Sequence, residues 1–262
     1  MNKNLEDARA RLKDKNMDPS LANYLYDCIK EQKGSINEFN DGIEEILKGK
    51  PVQYVIGNVD FYGYIFNVNE NVLIPRFETE RLVELTIEKI KQLHKPVTIL
   101  DIGTGSGCIA ITLKKELDCE VDAIDISDEA LKIAKENAKN NDVKITFYKS
   151  NVLRNVSKKF DVIISNPPYL TEDDEVMDIV KNNEPHLALY AKNNGLYFYE
   201  EILKNCIYSL NDNFLIAFEI GEKQGEAVSK LAYEYLNNIE VETIQDYNGK
   251  DRYIFISNKK YN

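Results

Sequence analysis

The chain has 262 residues, of which 43% are hydrophobic and 29% charged, and its formal net charge is −11. This balance is ordinary for a globular protein, and no apolar run approaches the ~20 residues that a membrane-spanning helix needs. The first residues, MNKNLEDARARLKDKN, lack the apolar core of a signal peptide, so we expect a cytoplasmic protein without a membrane partner. The acidic total disfavours, without excluding, a stable complex with nucleic acid, because such complexes depend on Lys and Arg neutralising phosphates.

The four cysteines (Cys28, Cys108, Cys119 and Cys206) are scattered along the chain. They form no CxxC pair and no Cys/His spacing, so we expect neither a metal site nor a disulfide framework. Buried thiols without a chemical role are the better interpretation.

The segment before residue 70 has the pattern of helices followed by a hairpin. A helix is predicted to start at the Asp18–Pro19 pair, because proline is favoured in the first helical turn. Ser35 and Glu38 have capping-box spacing, which predicts the start of another helix. The stretch PVQYVIGNVDFYGYIFNVNENVLIPR is aromatic and β-branched around a glycine, which predicts a β-hairpin that ends near Ile74.

From residue 97 onward, strand and helix patterns alternate. This alternation predicts an α/β domain with a parallel sheet that is covered on both faces. The chain then closes with ETIQDYN and DRYIFISN, a predicted antiparallel pair. The predicted strands before that pair are VTILDIG, CEVDAIDIS, KITFYKSN, FDVIISNPP and NFLIAFEIG.

A glycine-rich loop, DIGTGSG (101–107), joins the first of these strands to the following helix. Its glycines permit tight turning and close approach of the backbone to a ligand at the carboxyl end of a strand. A dinucleotide fingerprint would need glycine at position 108, where this chain has Cys108. The spacing is instead G-x-G-x-G after an acidic residue, Asp101.

Polar residues also follow the next two strands. Asp125 lies 22 positions after Gly103, and a carboxylate there can accept both hydroxyls of a ribose. Asn151 can bond an adenine edge, and Val152 can cover the adenine face. Taken singly, Asp125 or Asn151 can equally cap a helix or a turn. Together with the glycine loop they indicate an adenosine ligand without a pyrophosphate, and S-adenosylmethionine fits.

The stretch SNPPYL (165–170) ends the fourth strand. Its prolines can be a simple strand stop, because proline donates no ladder hydrogen bond. Beside the glycine loop, they would also preset two acceptors for a planar –NH2 group, the side-chain oxygen of Asn166 and the carbonyl of Pro167. The ring of Tyr169 would stack on the flat group. Since proton loss can follow methyl transfer, no strong base is needed, and His94 in the polar QLHKP link is expected at the surface.

A series of segments resembles, in order, the motifs of the PrmC (HemK) protein-(glutamine-N5) methyltransferases. The most specific is VLIPRFETE (72–80), together with the helical N-terminus, whereas NPPY is shared with amino-methyltransferases that act on DNA and RNA. Phe77 departs from the family pattern, which usually has proline there. The segments are PVQYVIG, VLIPRFETE, ILDIGTGSGCIAI, SNPPYL, EPHLAL, FEIGEKQG and DYNGKDR.

The resemblance implies methylation of the glutamine in the GGQ motif of bacterial peptide chain release factors. It implies a class I, Rossmann-like, seven-stranded S-adenosylmethionine-dependent methyltransferase domain (76–262), preceded by a helical substrate-docking domain (1–57) and a β-hairpin linker (58–75). We expect a monomer, no metal, and S-adenosyl-L-homocysteine as product. The implied cofactor-binding residues are Asp101, Gly103, Thr104, Gly105, Ser106, Gly107, Asp125, Asn151, Val152 and Asn166. The implied substrate-binding residues are Asn166, Pro167, Pro168 and Tyr169, with Asn166, Pro167 and Tyr169 catalytic.

Two further segments of the resemblance lie next to the expected substrate site. Arg76 and Glu80 are either an ion pair at the start of a helix that begins near Thr79 or part of a loop that closes over the substrate. Residues 184–185, Glu-Pro, are expected to shape the wall of the substrate site. The segment 170–193 shows little core pattern and is predicted to be a long loop that orders on binding.

Two other activities stay open. The same –NH2 chemistry would serve a nucleic-acid amino-methyltransferase acting on the exocyclic amine of adenine or guanine, although the acidic charge and the missing recognition domain disfavour it. A relative within the family methylates a glutamine of a ribosomal protein, and the motifs do not separate that substrate from a release factor.

Overall fold

The structure is a computed structural model that describes residues 2–92 and 96–258. The expected surface position of His94 lies outside these residues. Over the described ranges, none of the helices combines the length and the apolar character needed to cross a bilayer. The helices are α1 Asn2–Asp14, α2 Ser20–Glu31, α3 Ile36–Leu47, α4 Val52–Ile56, α5 Phe77–Lys91, α6 Cys108–Glu116, α7 Asp128–Asn140, α8 Asp178–Asn183, α9 His186–Leu189, α10 Tyr197–Asn205 and α11 Gly225–Tyr235. The strands are β1 Asn58–Phe61, β2 Tyr64–Asn67, β3 Thr98–Ile102, β4 Glu120–Asp125, β5 Thr146–Lys149, β6 Phe160–Ser165, β7 Leu210–Glu219, β8 Ile239–Gln245 and β9 Asp251–Asn258.

Helices α1 to α4 pack around a small apolar core. Pro19 directly precedes α2, and Ser35 caps α3 in a reciprocal capping box with Glu38, so both predicted helix starts are confirmed. Helix α1 was not predicted, because most of its residues are polar, yet Ala8 and Leu12, one turn apart, are buried. The core residues of this unit are Ala8, Leu12, Ala22, Leu25, Phe39, Ile43, Ile46 and Val52.

The predicted hairpin is shorter than its sequence pattern suggested. Strands β1 and β2 pair antiparallel as expected, but the prediction of extended structure from residue 51 was wrong. Pro51 precedes the short helix α4 instead, and Gly57, with φ of +84°, ends that helix. The Tyr54 hydroxyl donates a hydrogen bond to the Val72 carbonyl at 2.7 Å, which ties α4 to the segment after the hairpin. The division of the chain at residues 57 and 75 stays a prediction.

The remaining strands form one seven-stranded sheet in the order β5-β4-β3-β6-β7-β9-β8. Strands β3 to β7 are parallel, and β9 runs antiparallel to both of its neighbours. The predicted seven-stranded α/β class and the closing antiparallel pair are therefore confirmed. The chain runs outward from β3 to β5 and then returns to place β6 on the other side of β3. Open α/β sheets bind ligands at such a switch point, outside the carboxyl ends of the strands.

Both faces of the sheet are buried, as the apolar strands predict. Successive residues of β3 point to opposite faces, with Ile99 in one apolar core and Leu100 in the other. Helices α5, α6 and α7 contribute to the first core together with the hairpin, and α10 and α11 contribute to the second. The two layers of helices hold the strand ends, and hence the loops that follow them, in fixed positions.

The segment 170–193 is more ordered than predicted. It contains the short helices α8 and α9, and Leu170 pairs with the end of α9 through hydrogen bonds from its N–H to Leu189 and from Ala191 to its carbonyl. The Asn183 side chain donates to the Gly49 carbonyl at 2.9 Å. The expectation of a long loop was wrong because these contacts are made with residues distant in sequence.

Candidate active site

A cavity of about 440 Å³ opens at the carboxyl ends of β3, β4 and β6. Its size is usual for a cofactor site. The predicted residues that line it are Gly103, Thr104, Gly105, Ser106, Asp125, Asn151, Val152, Asn166, Pro167 and Pro168. Asp101, Gly107 and Tyr169 are not part of this lining. The fold thus brings most of the predicted residues together at one sheet edge.

The glycine loop is folded back onto the end of β4. The N–H groups of Gly103 and Thr104 both donate to the Ile124 carbonyl at 2.9 Å. The Gly105 N–H donates to the Asp125 carboxylate, also at 2.9 Å. A Cβ atom added at Gly103 or Gly105 would meet nothing within 4 Å, so the backbone of the loop is open toward the cavity.

Gly107 and Asp101 lie behind this loop. A Cβ on Gly107, whose φ is +83°, would stand 3.0 Å from the Ile111 side chain and 3.2 Å from Ala134, so glycine lets α6 and α7 pack closely. Asp101 is fully buried and accepts a hydrogen bond from the Thr104 hydroxyl at 2.6 Å. Burial raises the pKa of Asp101 to about 7. Both residues support the loop from behind.

The Asp125 carboxylate is hydrogen-bonded to the backbone and also lines the cavity. Its Oδ1 accepts from the Ser127 N–H and its Oδ2 from the Gly105 N–H, each at 2.9 Å. Ser127, rather than Asp125, caps α7 by accepting from the Ala130 N–H at 3.1 Å. Burial raises the pKa of Asp125, while hydrogen bonds from the backbone oppose that shift. A carboxylate has about four acceptor sites, so each oxygen can also accept a ribose hydroxyl.

Asn151 and Val152 form a strained turn after β5. Val152 has a left-handed φ of +50°, which is unusual for a β-branched residue. The Ser150 hydroxyl donates to the Val152 carbonyl at 2.7 Å, and the Arg154 N–H donates to the Asn151 carbonyl at 3.2 Å. Such conformations persist where surrounding contacts hold them, often at ligand sites. Both residues line the cavity, so either can serve as the adenine contact.

Asn166 is held by two successive side-chain hydrogen bonds, through residues that the sequence analysis did not identify. Its Nδ2 donates to the Thr79 hydroxyl at 3.0 Å, and that hydroxyl donates to Glu219 Oε2 at 2.7 Å. Thr79 and Glu219 are both buried, and burial raises the pKa of Glu219 to about 7. Because Asn166 lines the cavity and its nitrogen is bonded to Thr79, its oxygen is the atom left to accept a hydrogen bond there.

Tyr169 lies beside the cavity, packed against the core on the face of α10 and α11. Its carbonyl accepts from the Gln224 side chain at 3.1 Å, and a Cβ on Gly195 would stand 2.2 Å from that carbonyl oxygen. Burial raises the pKa of Tyr169 to about 12, which keeps its hydroxyl neutral. Tyr197 and Phe198 line the cavity, so they are the aromatic residues that the structure itself places there.

Arg76 pairs with Glu184 instead of Glu80. The guanidinium lies 2.5 Å from Glu184 Oε1, and the Ile74 N–H donates to Glu184 Oε2 at 3.1 Å. Glu80 accepts from the Tyr62 N–H at 3.1 Å. The ion-pair interpretation of Arg76 and Glu80 was therefore wrong, because α5 begins at Phe77 and Arg76 is extended at its N-cap. Arg76 also lines the cavity.

The residues missed by sequence reasoning carried only weak signals. Glu219 ends an apolar strand, as Asp125 does, and that position was the available hint. Thr79 lies inside the motif VLIPRFETE, but no local pattern pairs it with Asn166. Pro185, expected to shape the wall, does line the cavity, and so does Leu187 two positions later.

The donor set fits an adenosine cofactor. The open backbone of the glycine loop suits an amino-acid tail, the Asp125 carboxylate suits ribose hydroxyls, and Ile126 and Val152 offer apolar surface for a base. Over the part of the chain that the structure describes, no cluster of three or more His, Cys, Asp or Glu residues is arranged to hold a metal ion.

Comparisons with known proteins agree with this chemistry. The family described as Methyltransferase small domain matches residues 81–188. The chain is 44% identical over 219 residues to the release factor glutamine methyltransferase of Streptococcus pneumoniae, covering 82% of this chain and 78% of that protein. It is 40% identical over 243 residues to the release factor glutamine methyltransferase of Bacillus cereus, covering 90% of this chain and 85% of that protein.

A solved structure shows the same fold at lower identity. A methyltransferase from Pyrococcus furiosus superposes with a TM-score of 0.57 at 20% identity, covering 82% of this chain and 95% of that one. At this identity the likeness concerns the fold, and the chemistry rests on the residues of the cavity.

Proposed function

The chain belongs to the release factor glutamine methyltransferase family, and we propose that it transfers a methyl group from S-adenosylmethionine to the side-chain amide nitrogen of the GGQ glutamine in peptide chain release factors. The carrying observation is the orientation of Asn166, whose nitrogen donates to Thr79 at 3.0 Å. Its oxygen is left to accept from a planar –NH2 group in the same cavity as the glycine loop.

Different residues would bind the cofactor and the glutamine amide. The cofactor S-adenosylmethionine would supply an electrophilic methyl group on its sulfonium, with S-adenosyl-L-homocysteine as the product. The backbone of residues 103–106, Asp125 and the turn at 151–152 hold it. Asn166 Oδ1 and the Pro167 carbonyl accept the two N–H groups of the glutamine amide and stabilise the positive charge that develops on its nitrogen. The proton can leave to water after transfer, so no general base is assigned.

Aromatic surface beside these acceptors would hold the flat amide group. Tyr169 keeps its predicted role as a stacking partner in this proposal, and Pro168 fixes the backbone before it. Tyr197 and Phe198, which line the cavity, are additional candidates for that contact. A ring stacked on one face of the glutamine amide would leave the other face of its nitrogen open to the methyl group, which favours in-line attack.

The helical unit of residues 1–57 is proposed as the docking domain for the release factor. It has its own apolar core and is tied to the catalytic part by the Asn183 bond to Gly49 and to the linker by the Tyr54 bond to Val72. A docking surface with a fixed position relative to the cavity would let a large protein substrate be recognised away from its glutamine. We expect the protein to be cytoplasmic and monomeric. Light scattering after gel filtration tests the monomeric state.

The test is mass spectrometry of the GGQ peptide after incubation of a release factor with enzyme and S-adenosylmethionine. A gain of one methyl group on the glutamine is expected, and a release factor with GGQ changed to GGA is the control. No gain would contradict the proposal. Transfer of a labelled methyl group to total RNA or DNA would instead support a nucleic-acid amino-methyltransferase. Transfer to a glutamine of a ribosomal protein would support the ribosomal-protein alternative.

A further inference from the structure

The Thr79 hydroxyl lies between two polar side chains, and these determine the hydrogen bond that it donates and the one that it accepts. It is 3.0 Å from Asn166 Nδ2 and 2.7 Å from Glu219 Oε2. Thr79 and Glu219 are 3% and 2% exposed, so bulk water does not compete for these bonds. Thr79 is on α5, Asn166 follows β6 and Glu219 ends β7, so the three residues come together only through the sheet.

The direction in which the hydrogen bonds between Asn166, Thr79 and Glu219 are donated follows from counting protons. An ionised carboxylate can only accept, so the single proton of the Thr79 hydroxyl must point to Glu219. The hydroxyl then has only lone pairs to offer to Asn166, and only the –NH2 end of that amide can donate to it. The reverse orientation of Asn166 would place two acceptor oxygens against each other.

We propose that Thr79 and Glu219 are positioning residues that orient the Asn166 amide so that its oxygen faces the methyl-accepting –NH2 group. This inference rests on the proposed function for its role in turnover, but the orientation itself is a property of the enzyme without substrate. Thr79 and Glu219 do not touch the reacting atoms; they act through Asn166.

The backbone around both residues is itself held in place. The Thr79 N–H donates to the Arg76 carbonyl at 3.1 Å. The Tyr253 hydroxyl donates to the Glu78 carbonyl and the Tyr199 hydroxyl donates to the Glu219 carbonyl, each at 2.9 Å. Such support is what a positioning chain needs, because a displacement of about 1 Å at the reacting group already slows catalysis strongly.

The hydrogen bonds between Asn166, Thr79 and Glu219 should also depend on pH, through the carboxyl group of Glu219. Burial raises the pKa of Glu219 to about 7, and protonation gives the carboxyl a proton to donate to Thr79. Thr79 can then donate to the oxygen of Asn166, which removes the constraint on the amide. The titratable and charged groups that act on Glu219 or are acted on by it are Arg76, Glu78, Cys108, Tyr169, Tyr199, Arg252 and Tyr253. Glu78 is the other carboxyl group in this set, and within the described ranges its side chain is hydrogen-bonded to neither Asn166 nor Thr79.

A matched pair of variants separates the hydroxyl from the shape of Thr79. Thr79→Val keeps the shape and loses the hydroxyl, and Thr79→Ser keeps the hydroxyl and loses a methyl group. We expect kcat of Thr79→Val to fall about tenfold, the effect of losing one neutral hydrogen bond from the transition state, with unchanged affinity for S-adenosylhomocysteine. Thr79→Ser should retain most of kcat although it melts at a lower temperature. Equal losses of kcat in the two variants, or none in Thr79→Val, would overturn the proposal.

Glu219→Gln tests the pH dependence. In the wild-type enzyme kcat should fall as pH falls through about 7, the pH at which Glu219 gains its proton. A glutamine can donate or accept toward Thr79, so the variant should have a lower kcat without this acid limb. An acid limb that persists unchanged in Glu219→Gln would contradict the role of Glu219.

A measurement without substrate keeps the inference independent of the proposed function. Selective ¹⁵N-asparagine labelling gives a side-chain –NH2 signal for Asn166, identified by its loss in Asn166→Ala. That signal should shift with pH around 7 in the wild-type enzyme and show no such shift in Glu219→Gln or Thr79→Val. A wild-type Asn166 signal identical to that of Thr79→Val at every pH would overturn the inference, because the amide would then not depend on the Thr79 hydroxyl. If the wild-type enzyme did not methylate a release factor, the proposed function alone would fall, and the NMR comparison would still decide the orientation.

Discussion

The two walls of the cavity are built in different ways. The cofactor wall (residues 101–107, Asp125 and residues 150–152) is held by bonds between residues close in sequence or on adjacent strand ends, such as Asp101 to Thr104. The amide wall (Arg76, Thr79 and Asn166, with Glu184 and Glu219 behind them) is held by side-chain bonds between residues 87 to 140 positions apart. The first wall is a local loop structure, and the second exists only in the folded sheet.

This difference predicts a division of labour. The cofactor wall presents backbone groups and one carboxylate, and changes there should act on cofactor affinity. In the proposed mechanism the amide wall orients the Asn166 oxygen, one of the two acceptors, toward the nitrogen to be methylated, so changes there should act on turnover. The predictions below either separate the two walls or show that they act as one.

Asn166→Ala should have the largest effect. It removes an acceptor that matters most as charge develops, so the rate of methyl transfer should fall at least about 100-fold, with cofactor binding largely kept. Single-turnover kinetics and calorimetry with S-adenosylhomocysteine measure the two quantities. Asn205→Ala, which removes an exposed side chain on α10 that donates to the Glu201 carbonyl, is the control. Normal turnover in Asn166→Ala would remove the basis of the amide wall.

Asp125→Asn should act on the opposite wall. Its new –NH2 group cannot accept from the Gly105 or Ser127 N–H, so affinity for S-adenosylmethionine should fall about 10- to 100-fold, while kcat at saturation changes little. Asp122→Asn is a matched control on the same strand, because Asp122 pairs with Lys158 at 3.0 Å and does not line the cavity. A loss of kcat as large as the loss of affinity would show that the walls are coupled.

Asp101 behind the cofactor wall and Glu219 behind the amide wall are buried acids with a raised pKa, and both should lower stability at high pH. Burial raises the pKa of Asp101 and of Glu219 to about 7, so each contributes stability below about pH 4 that is lost as pH rises through 7. The expected fall in unfolding free energy is about 2–3 kcal/mol for each carboxyl, measured by urea denaturation at pH 5 and pH 8. Asp101→Asn and Glu219→Gln should both flatten this dependence, but only Glu219→Gln should remove the acid limb of kcat.

Arg76→Met should have the smallest effect, on stability. It leaves the Glu184 carboxylate, whose side chain is 1% exposed, with the Ile74 N–H but without its ion-pair partner. Because Arg76 is itself one-third exposed, the cost should be about 1–2 kcal/mol. Adding Glu184→Gln should restore part of that loss, since it removes the unpaired charge. A double variant less stable than Arg76→Met would contradict this account of the pair.

The cofactor wall could be predicted from the sequence in most respects. The glycine spacing after an apolar strand indicated the loop, and the position of Asp125 at the next strand end indicated the carboxylate that faces the cavity. Both signals are local, because a strand end, a glycine and an acidic residue are adjacent along the chain. The outcome differed mainly in detail, since Gly107 and Asp101 lie behind the loop.

The amide wall could be predicted only in part. The rigid NPPY stretch was recognised, but an ion pair with Glu80 was one of the two interpretations of Arg76, whose partner is Glu184. The expected helix start near Thr79 suggested the nearby partner, whereas the actual pairing depends on where the segment before α9 is placed. Similarly, α1 and the helices within 170–193 were missed because their stability comes from contacts with other segments rather than from periodicity.

The sequence by itself determined the alternation of strands and helices, the glycine loop, the position of the NPPY stretch and the family. Each of these is written in residues that are neighbours along the chain. Only the tertiary structure decided that Thr79 and Glu219 stand behind Asn166 and fix which end of its amide meets the substrate. The physical reason is that a hydrogen bond between α5, the end of β6 and the end of β7 depends on sheet order and strand length, and no local pattern encodes either.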